Sequence, residues 1–176
     1  MKILIIGALG AGKSTLAYKI NKEWGLTRLN LDEIARCKED GSFRSKEEYL
    51  KLLQQFLSAH PDNWVAEGSH PDLIRNVNPN IIIYVTTNRL IRLFRFTFRF
   101  IKAKKLIGKN ISPDLPVQAY HYRKLSLKKI RDYDVSGIEI INDLKEFFKT
   151  VKVPIIKYKN EKDLKDILQL MENKND

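Results

Sequence analysis

The sequence predicts an α/β fold built on a parallel sheet, and three observations predict it. Short β-branched apolar runs alternate with longer segments of helical periodicity along all 176 residues. The first run, Ile3-Leu4-Ile5-Ile6, is continuously apolar, the pattern of a strand covered on both faces. A glycine-rich turn and a helical segment follow it directly. The length suits one core, so residues 1–176 read as a single domain.

The elements follow in order. After the first strand, Gly7 opens the turn, and a helix is expected from about Lys13 to Trp24, stopped by Gly25. Thr27 to Leu31 reads as a second strand. Helical patterning resumes from Asp32 and again over Lys46 to Leu57, and His60-Pro61-Asp62-Asn63 is a turn. Trp64-Val65-Ala66 reads as a third strand and Ile81 to Thr86 as a fourth. Arg89 to about Lys105 is a long helix, and Gly108 to Pro116 a loop broken by two prolines. Helical stretches are expected over Val117 to Tyr133 and Ile138 to Lys149. Val151 to Tyr158 reads as a fifth strand and Glu161 to Glu172 as a last helix. Ile5, Ile6, Val65, Ile82, Ile83, Val85 and Ile155 are expected among the most buried residues.

Composition narrows the function classes. Hydrophobic residues make up 43% and charged residues 30%, which argues against disorder. The longest stretch without a charge, Asn76 to Asn88, is 13 residues, short of the roughly 20 needed to span a bilayer. The N-terminal apolar run is too short for a signal peptide. The one cysteine, Cys37, cannot form an internal disulfide, and a cytoplasmic location is expected. Cys37 itself reads as a small buried apolar residue on a helix.

The charge is uneven. Residues 1–88 hold 11 basic and 10 acidic side chains, net +1, whereas residues 89–131 hold 13 basic side chains against Asp114 alone, net +12. Such a field attracts a nucleotide, a nucleic acid or an anionic membrane surface, and composition does not choose among them.

The strongest motif is Gly7-Ala8-Leu9-Gly10-Ala11-Gly12-Lys13-Ser14-Thr15, which fits G-x-x-x-x-G-K-[ST] with an additional Gly10. Glycines let several backbone N–H groups turn toward one anion, and the following helix N-terminus adds partial positive charge. Gly7, Gly10, Ala11 and Gly12 would form the cradle. Lys13 would reach the β- and γ-phosphates of a nucleoside triphosphate, Ser14 would ligate Mg²⁺, and Thr15 would sit near the α-phosphate. The GTPase branch is disfavoured: Asn173-Lys174-Asn175-Asp176 fits N-K-x-D but follows the last helix, and no D-x-x-G stands on the third strand.

With this loop, Leu31-Asp32, Trp64-Val65-Ala66-Glu67-Gly68, Asn88-Arg89, Arg95 and Arg99, the chain resembles the P-loop kinases of the adenylate kinase-like group. More closely it resembles the bacterial DNA topology modulation protein-related kinases. The resemblance implies a P-loop NTPase three-layer sandwich: a five-stranded parallel sheet in the order 2-3-1-4-5, helices on both faces, and a short lid at about 103–118. It implies ATP, or another nucleoside triphosphate, and Mg²⁺. Asp32 would bind an acceptor hydroxyl and take its proton, or cap a helix. Glu67 would hold a Mg²⁺-bound water, or be an exposed turn carboxylate. Arg95 and Arg99 would lie along the phosphates as lid arginines, or form a solvated basic face, and Arg123 could close from the far side. Nucleoside monophosphate kinases carry aromatic-Pro-Arg after the strand-three glycine. This chain has Ser69-His70-Pro71-Asp72, with Arg75 one turn on. His70 is either an acceptor contact or a solvated loop residue.

The leading expectation is therefore an ATP-dependent phosphotransferase with catalytic Lys13, Asp32, Arg95 and Arg99. The alternative is a nucleic-acid-associated NTP-binding protein that uses residues 89–131. On the long helix, Arg89, Arg92, Arg95, Arg99 and Lys102 share one face, and Leu90, Leu93, Phe94, Phe98 and Ile101 lie on the other. A membrane contact would need Phe94 and Phe98 exposed, and they are expected buried.

Overall fold

The computed structural model describes residues 1–37, 41–107, 139, 142–149, 153–160, 163 and 167, without the side chains of Phe96, Arg99, Phe100 and residues 102–107. The described elements are β1 (Lys2–Gly7), α1 (Lys13–Trp24), β2 (Thr27–Asn30), α2 (Leu31–Ile34), α3 (Lys46–Ala59), β3 (Trp64–Glu67), α4 (Pro71–Arg75), β4 (Ile81–Val85), α5 (Arg89–Ile107) and β5 (Ile155–Tyr158). Residues 142–149 are also helical.

The strands form one sheet in the order β2-β3-β1-β4-β5, with every described pairing parallel. β1 is central: Ile5 stands opposite Glu67 of β3 and Ile83 of β4. Buried from both sides, β1 reads as a continuous apolar run because neither face meets water. Leu4, Ile6, Leu29, Trp64, Ala66 and Ile82 pack with Tyr49 and Leu53 of α3 and Leu73 and Ile74 of α4. Ile3, Ile5, Val65, Ile81 and Ile83 pack on the other side with Leu16, Ala17 and Ile20 of α1. Helices thus cover both faces.

Local chemistry explains the ends of the helices. Gly25, at φ 65°, caps α1 with its N–H on the Asn21 carbonyl. Ser45 and Glu48 form a reciprocal capping box at the start of α3. The Ser45 backbone and side chain also hold the Glu48 carboxyl below its ordinary range.

Several expectations are corrected. α2 starts one residue early, and its cap is Asn30, whose Oδ1 accepts from the Asp32 and Glu33 amides. Asp32 is therefore inside the helix and not its cap. Cys37 lies beyond α2 in non-helical chain and is half-buried. α4 had no counterpart in the pattern, being too short for periodicity. Ile155 is 46% exposed, because β5 is an edge strand and turns Ile156 toward the α1-side core instead.

The largest correction concerns α5. Phe94 and Phe98 are 72% and 61% exposed, whereas Arg92 is 7% exposed. The helix docks through its arginine face, since the neighbouring glycine-rich turn offers backbone carbonyls that a guanidinium satisfies and a phenyl ring does not. The loop 108–116, most of the lid, Arg123, the helix 117–133 and most of 161–172 lie outside the described residues. Among the described residues, no helix is long and apolar enough to cross a membrane.

Candidate functional site at the carboxyl ends of the central strands

The topology brings the predicted residues to one edge of the sheet. β1 ends at Gly7, and β2 and β3 end at the paired Asn30 and Glu67. The glycine-rich turn, Asp32 and Glu67 therefore leave adjacent strands on the same side, the edge where open parallel sheets bind ligands.

The turn spans residues 7 to 12 before α1. Gly7, Gly10 and Gly12 have φ of 156°, 75° and 107°, and no non-glycine described residue has positive φ. A β-carbon on Gly7 would stand 2.6 Å from the Val85 carbonyl oxygen, and one on Gly10 2.8 Å from that of Arg92. The additional glycine thus answers to α5 packing directly on the turn. Lys13 opens α1, is 7% exposed, and donates from Nζ to the carbonyls of Gly7 at 2.9 Å and Ala8 at 3.3 Å. No side chain caps the α1 N-terminus, and its first turn has no acid. An uncapped helix N-terminus of this kind presents N–H donors and partial positive charge. Ser14 is half-buried and Thr15 exposed.

Two β4–α5 residues grip the turn from outside. Thr87 Oγ1 donates to the Ala11 carbonyl at 2.8 Å. Arg95 Nη1 donates to the Gly10 and Ala11 carbonyls, both at 3.3 Å. Arg95 is therefore brought to the same loop as Lys13, and the Arg99 side chain lies outside the described part. Sequence reasoning missed Thr87. A threonine just past a strand carries no motif, and only the adjacency of β1 and β4 signals it.

On the other side, Asp32 is held by a backbone donor: Ser69 N–H reaches its Oδ1 at 3.1 Å. Gly68 makes this approach possible, since a β-carbon there would lie 2.7 Å from Leu31 Cβ and 3.3 Å from Asp32 Oδ1. Glu67 is no exposed turn carboxylate. It is 1% exposed, and Arg28 Nη2 pairs with its Oε1 at 3.0 Å.

His70 lies between the edge of Tyr49, 4.9 Å away, and Phe43, 6.3 Å away between ring centroids. Burial pushes its imidazole below the ordinary 6.5, Asp72 and Asp32 pull the other way, and Arg36 adds to the lowering. Tyr49 donates to Asp72 Oδ2 at 2.9 Å. That bond holds the Asp72 carboxyl below its usual range, with help from Lys46. Nearby arginines are engaged. Arg36 donates to the Gly41 carbonyl and lies 3.8 Å over Phe43, and Arg44 donates to the carbonyls of Glu33, Ile34 and Arg36. Arg75 turns away to Asp143 at 2.5 Å.

Ser14 and Glu67 are the candidate metal groups. Among the described residues no three His, Cys, Asp or Glu side chains gather around a common point. Mg²⁺ binds through one or two protein groups and otherwise through water and phosphate, so a site of this kind needs no such cluster.

No protein-family profile and no curated protein matches the chain. Solved structures do. One is the crystal structure of an uncharacterized protein from Eubacterium ventriosum ATCC 27560, 11% identical with a TM-score of 0.51, covering 98% of this chain and 99% of that one. At this identity the likeness is one of fold: an α/β architecture on a five-stranded parallel sheet.

Proposed function

We propose that the chain is a P-loop phosphotransferase that moves the γ-phosphoryl group of ATP to a small hydroxylated acceptor. One observation carries the reading: Lys13 and Arg95, from α1 and α5, are both held on carbonyls of the glycine-rich turn, beside uncapped α1 amides. Two cations converging on one anion-shaped cradle suit a group whose charge is spread over several oxygens.

In this reading the turn amides and Lys13 Nζ leave their present carbonyl contacts or share them with the phosphates, and Ser14 and Glu67 hold the hydrated ion. Mg²⁺ held by Ser14 and Glu67 would neutralise part of the phosphate charge. Asp32, fixed by Ser69, orients the acceptor hydroxyl and takes its proton as the oxygen bonds to phosphorus. The bond from the γ-phosphorus to its bridging oxygen breaks, and ADP leaves. Arg95 meets the charge that develops during transfer, and Arg99 is assigned the same role. The acceptor side favours a hydroxyl compound without a phosphate, because Arg36, Arg44 and Arg75 are each engaged with other groups.

The test is a panel of nucleosides, nucleoside monophosphates and small polyols, scored for acceptor-dependent ADP formation. Lys13→Ala should abolish productive ATP binding. Unchanged ATP affinity in that variant rejects the phosphate-loop assignment.

A further inference from the structure

Thr87 makes the shortest of the hydrogen bonds that it and Arg95 place on the turn: 2.8 Å to the Ala11 carbonyl, against 3.3 Å for both Arg95 bonds. The consequence lies at the other end of that peptide. In a trans peptide the carbonyl and the next residue's N–H point in opposite directions. Drawing the Ala11 oxygen toward the β4–α5 junction therefore turns the Gly12 N–H away from it. Among the described residues that N–H donates to no acceptor. The preceding amide is already used, since Ala11 N–H is bonded to the Ala8 carbonyl at 3.1 Å. Gly12 leads straight into α1, whose ladder begins with Leu16 N–H on the Gly12 carbonyl and whose N-terminus no side chain caps. Beside a glycine at φ 107° this peptide can rotate at little cost, so its direction depends on what holds it.

We propose that Thr87 is a positioning residue for the phosphate loop: its hydroxyl fixes the Ala11–Gly12 peptide so that the Gly12 N–H joins the first α1 amides as a phosphate donor. The inference rests on the phosphate-loop reading given above. It divides the work between the two outside groups. Arg95 is shared between two carbonyls and is the group assigned to the charge that develops during transfer. Thr87 keeps its single bond to Ala11 and holds the peptide while Arg95 moves. The neighbouring threonine has a different task. Thr86 Oγ1 and N–H both donate to the Tyr158 carbonyl, at 3.4 and 2.9 Å, and tie β4 to the edge strand β5. The same substitution at the two threonines therefore separates aiming the turn from holding the sheet.

The chain offers a direct probe, because Ala11–Gly12 is its one Ala-Gly peptide. Full-length protein labelled with carbonyl-¹³C alanine and ¹⁵N glycine gives a single carbonyl-to-amide NMR correlation, from that peptide. In the wild type, ATP with Mg²⁺ should bind and move the Gly12 amide proton downfield, as a phosphate oxygen accepts from it. Thr87→Val should shift the Ala11 carbonyl signal and lose most of the Gly12 response. It should weaken ATP and ADP alike by about tenfold, the worth of one charge-assisted hydrogen bond. Thr87→Ser, which restores the hydroxyl, should recover both readings, and Thr86→Val should bind ATP like the wild type. A Thr87 that served folding alone would change the melting temperature and leave the affinity of the folded protein unaltered. The inference is overturned if the wild-type Gly12 proton stays in place while ATP binds, a result that needs no variant. It is also overturned if folded Thr87→Val keeps wild-type affinity for ATP. In both cases ATP binding by the wild type stands, and the phosphate-loop reading with it. A wild type that does not bind ATP overturns that reading and this inference together.

Discussion

The carbonyl oxygen of Arg92 stands 2.8 Å from the point where a β-carbon on Gly10 would be. Helix α5 therefore rests on the glycine-rich turn with no room for a methyl group, and Gly10 is also left-handed at φ 75°. Gly25 has a similar φ of 65° with nothing within 4 Å of its missing β-carbon. The pair separates conformation from contact. Gly25→Ala should cost about 1 to 2 kcal/mol, the left-handed penalty alone. Gly10→Ala should cost clearly more in denaturant unfolding and should weaken ATP binding, which Gly25→Ala should leave unchanged. Equal losses in the two variants would show that α5 does not press on the turn.

Arg95 distinguishes charge stabilisation from nucleic-acid tracking. Its guanidinium lies on the Gly10 and Ala11 carbonyls. Arg95→Ala should lower kcat on the order of 10³-fold with little change in the ATP dissociation constant, because the charge it meets grows during transfer. If α5 instead follows a phosphate backbone, the same change should reduce the salt slope of nucleic-acid binding by about one unit and leave ATP turnover alone.

The Arg28–Glu67 pair joins β2 to β3 beneath the site, with side chains 33% and 2% exposed. Arg28→Ala strands a buried carboxylate and should destabilise the fold by about 2 kcal/mol, reduced from the fully buried case by the exposure of Arg28. Glu67→Gln should be milder in unfolding but should raise the Mg²⁺ concentration needed for half-maximal turnover. A Mg²⁺ dependence identical to the wild type would leave Glu67 with the structural pair alone.

His70 predicts an acid-sensitive fold. Burial lowers its folded pKa below the unfolded 6.5, so the folded state binds fewer protons. Its contribution is fully present above pH 6.5 and is lost as the pH falls through the lowered folded value. The melting temperature should therefore drop as the pH falls below 6.5, and His70→Gln should flatten that slope. Asp72, also lowered, acts only near and below its ordinary 3.8 and does not share this window. An imidazole titration midpoint at or above 6.5 by NMR would reject the assignment.

What could be read in advance was local. The run Ile3-Leu4-Ile5-Ile6 and the glycines at 7, 10 and 12 carry their meaning within a few residues, so β1, α1 and the place of Lys13 were legible. The seat of α5 was not. Its pattern defines two faces, and the usual preference for apolar burial picked the wrong one. The deciding partners, the carbonyls of Gly10 and Ala11, are about 85 positions away in sequence. Capping was ambiguous for a smaller reason. Asp32 was the expected cap candidate, and a one-residue difference in where α2 begins gave the role to Asn30 instead. The pairing of Glu67 was not legible because its partner, Arg28, sits on another strand.

The grip of Thr87 and Arg95 on Ala11, together with the close seat of Gly10, makes the turn and α5 one mechanical piece. Displacing those carbonyl contacts would loosen what seats the helix, and Phe94, 72% exposed, lies on its far side. A dye attached there, after Cys37 is replaced, would register occupancy of the turn from outside without touching any atom that binds.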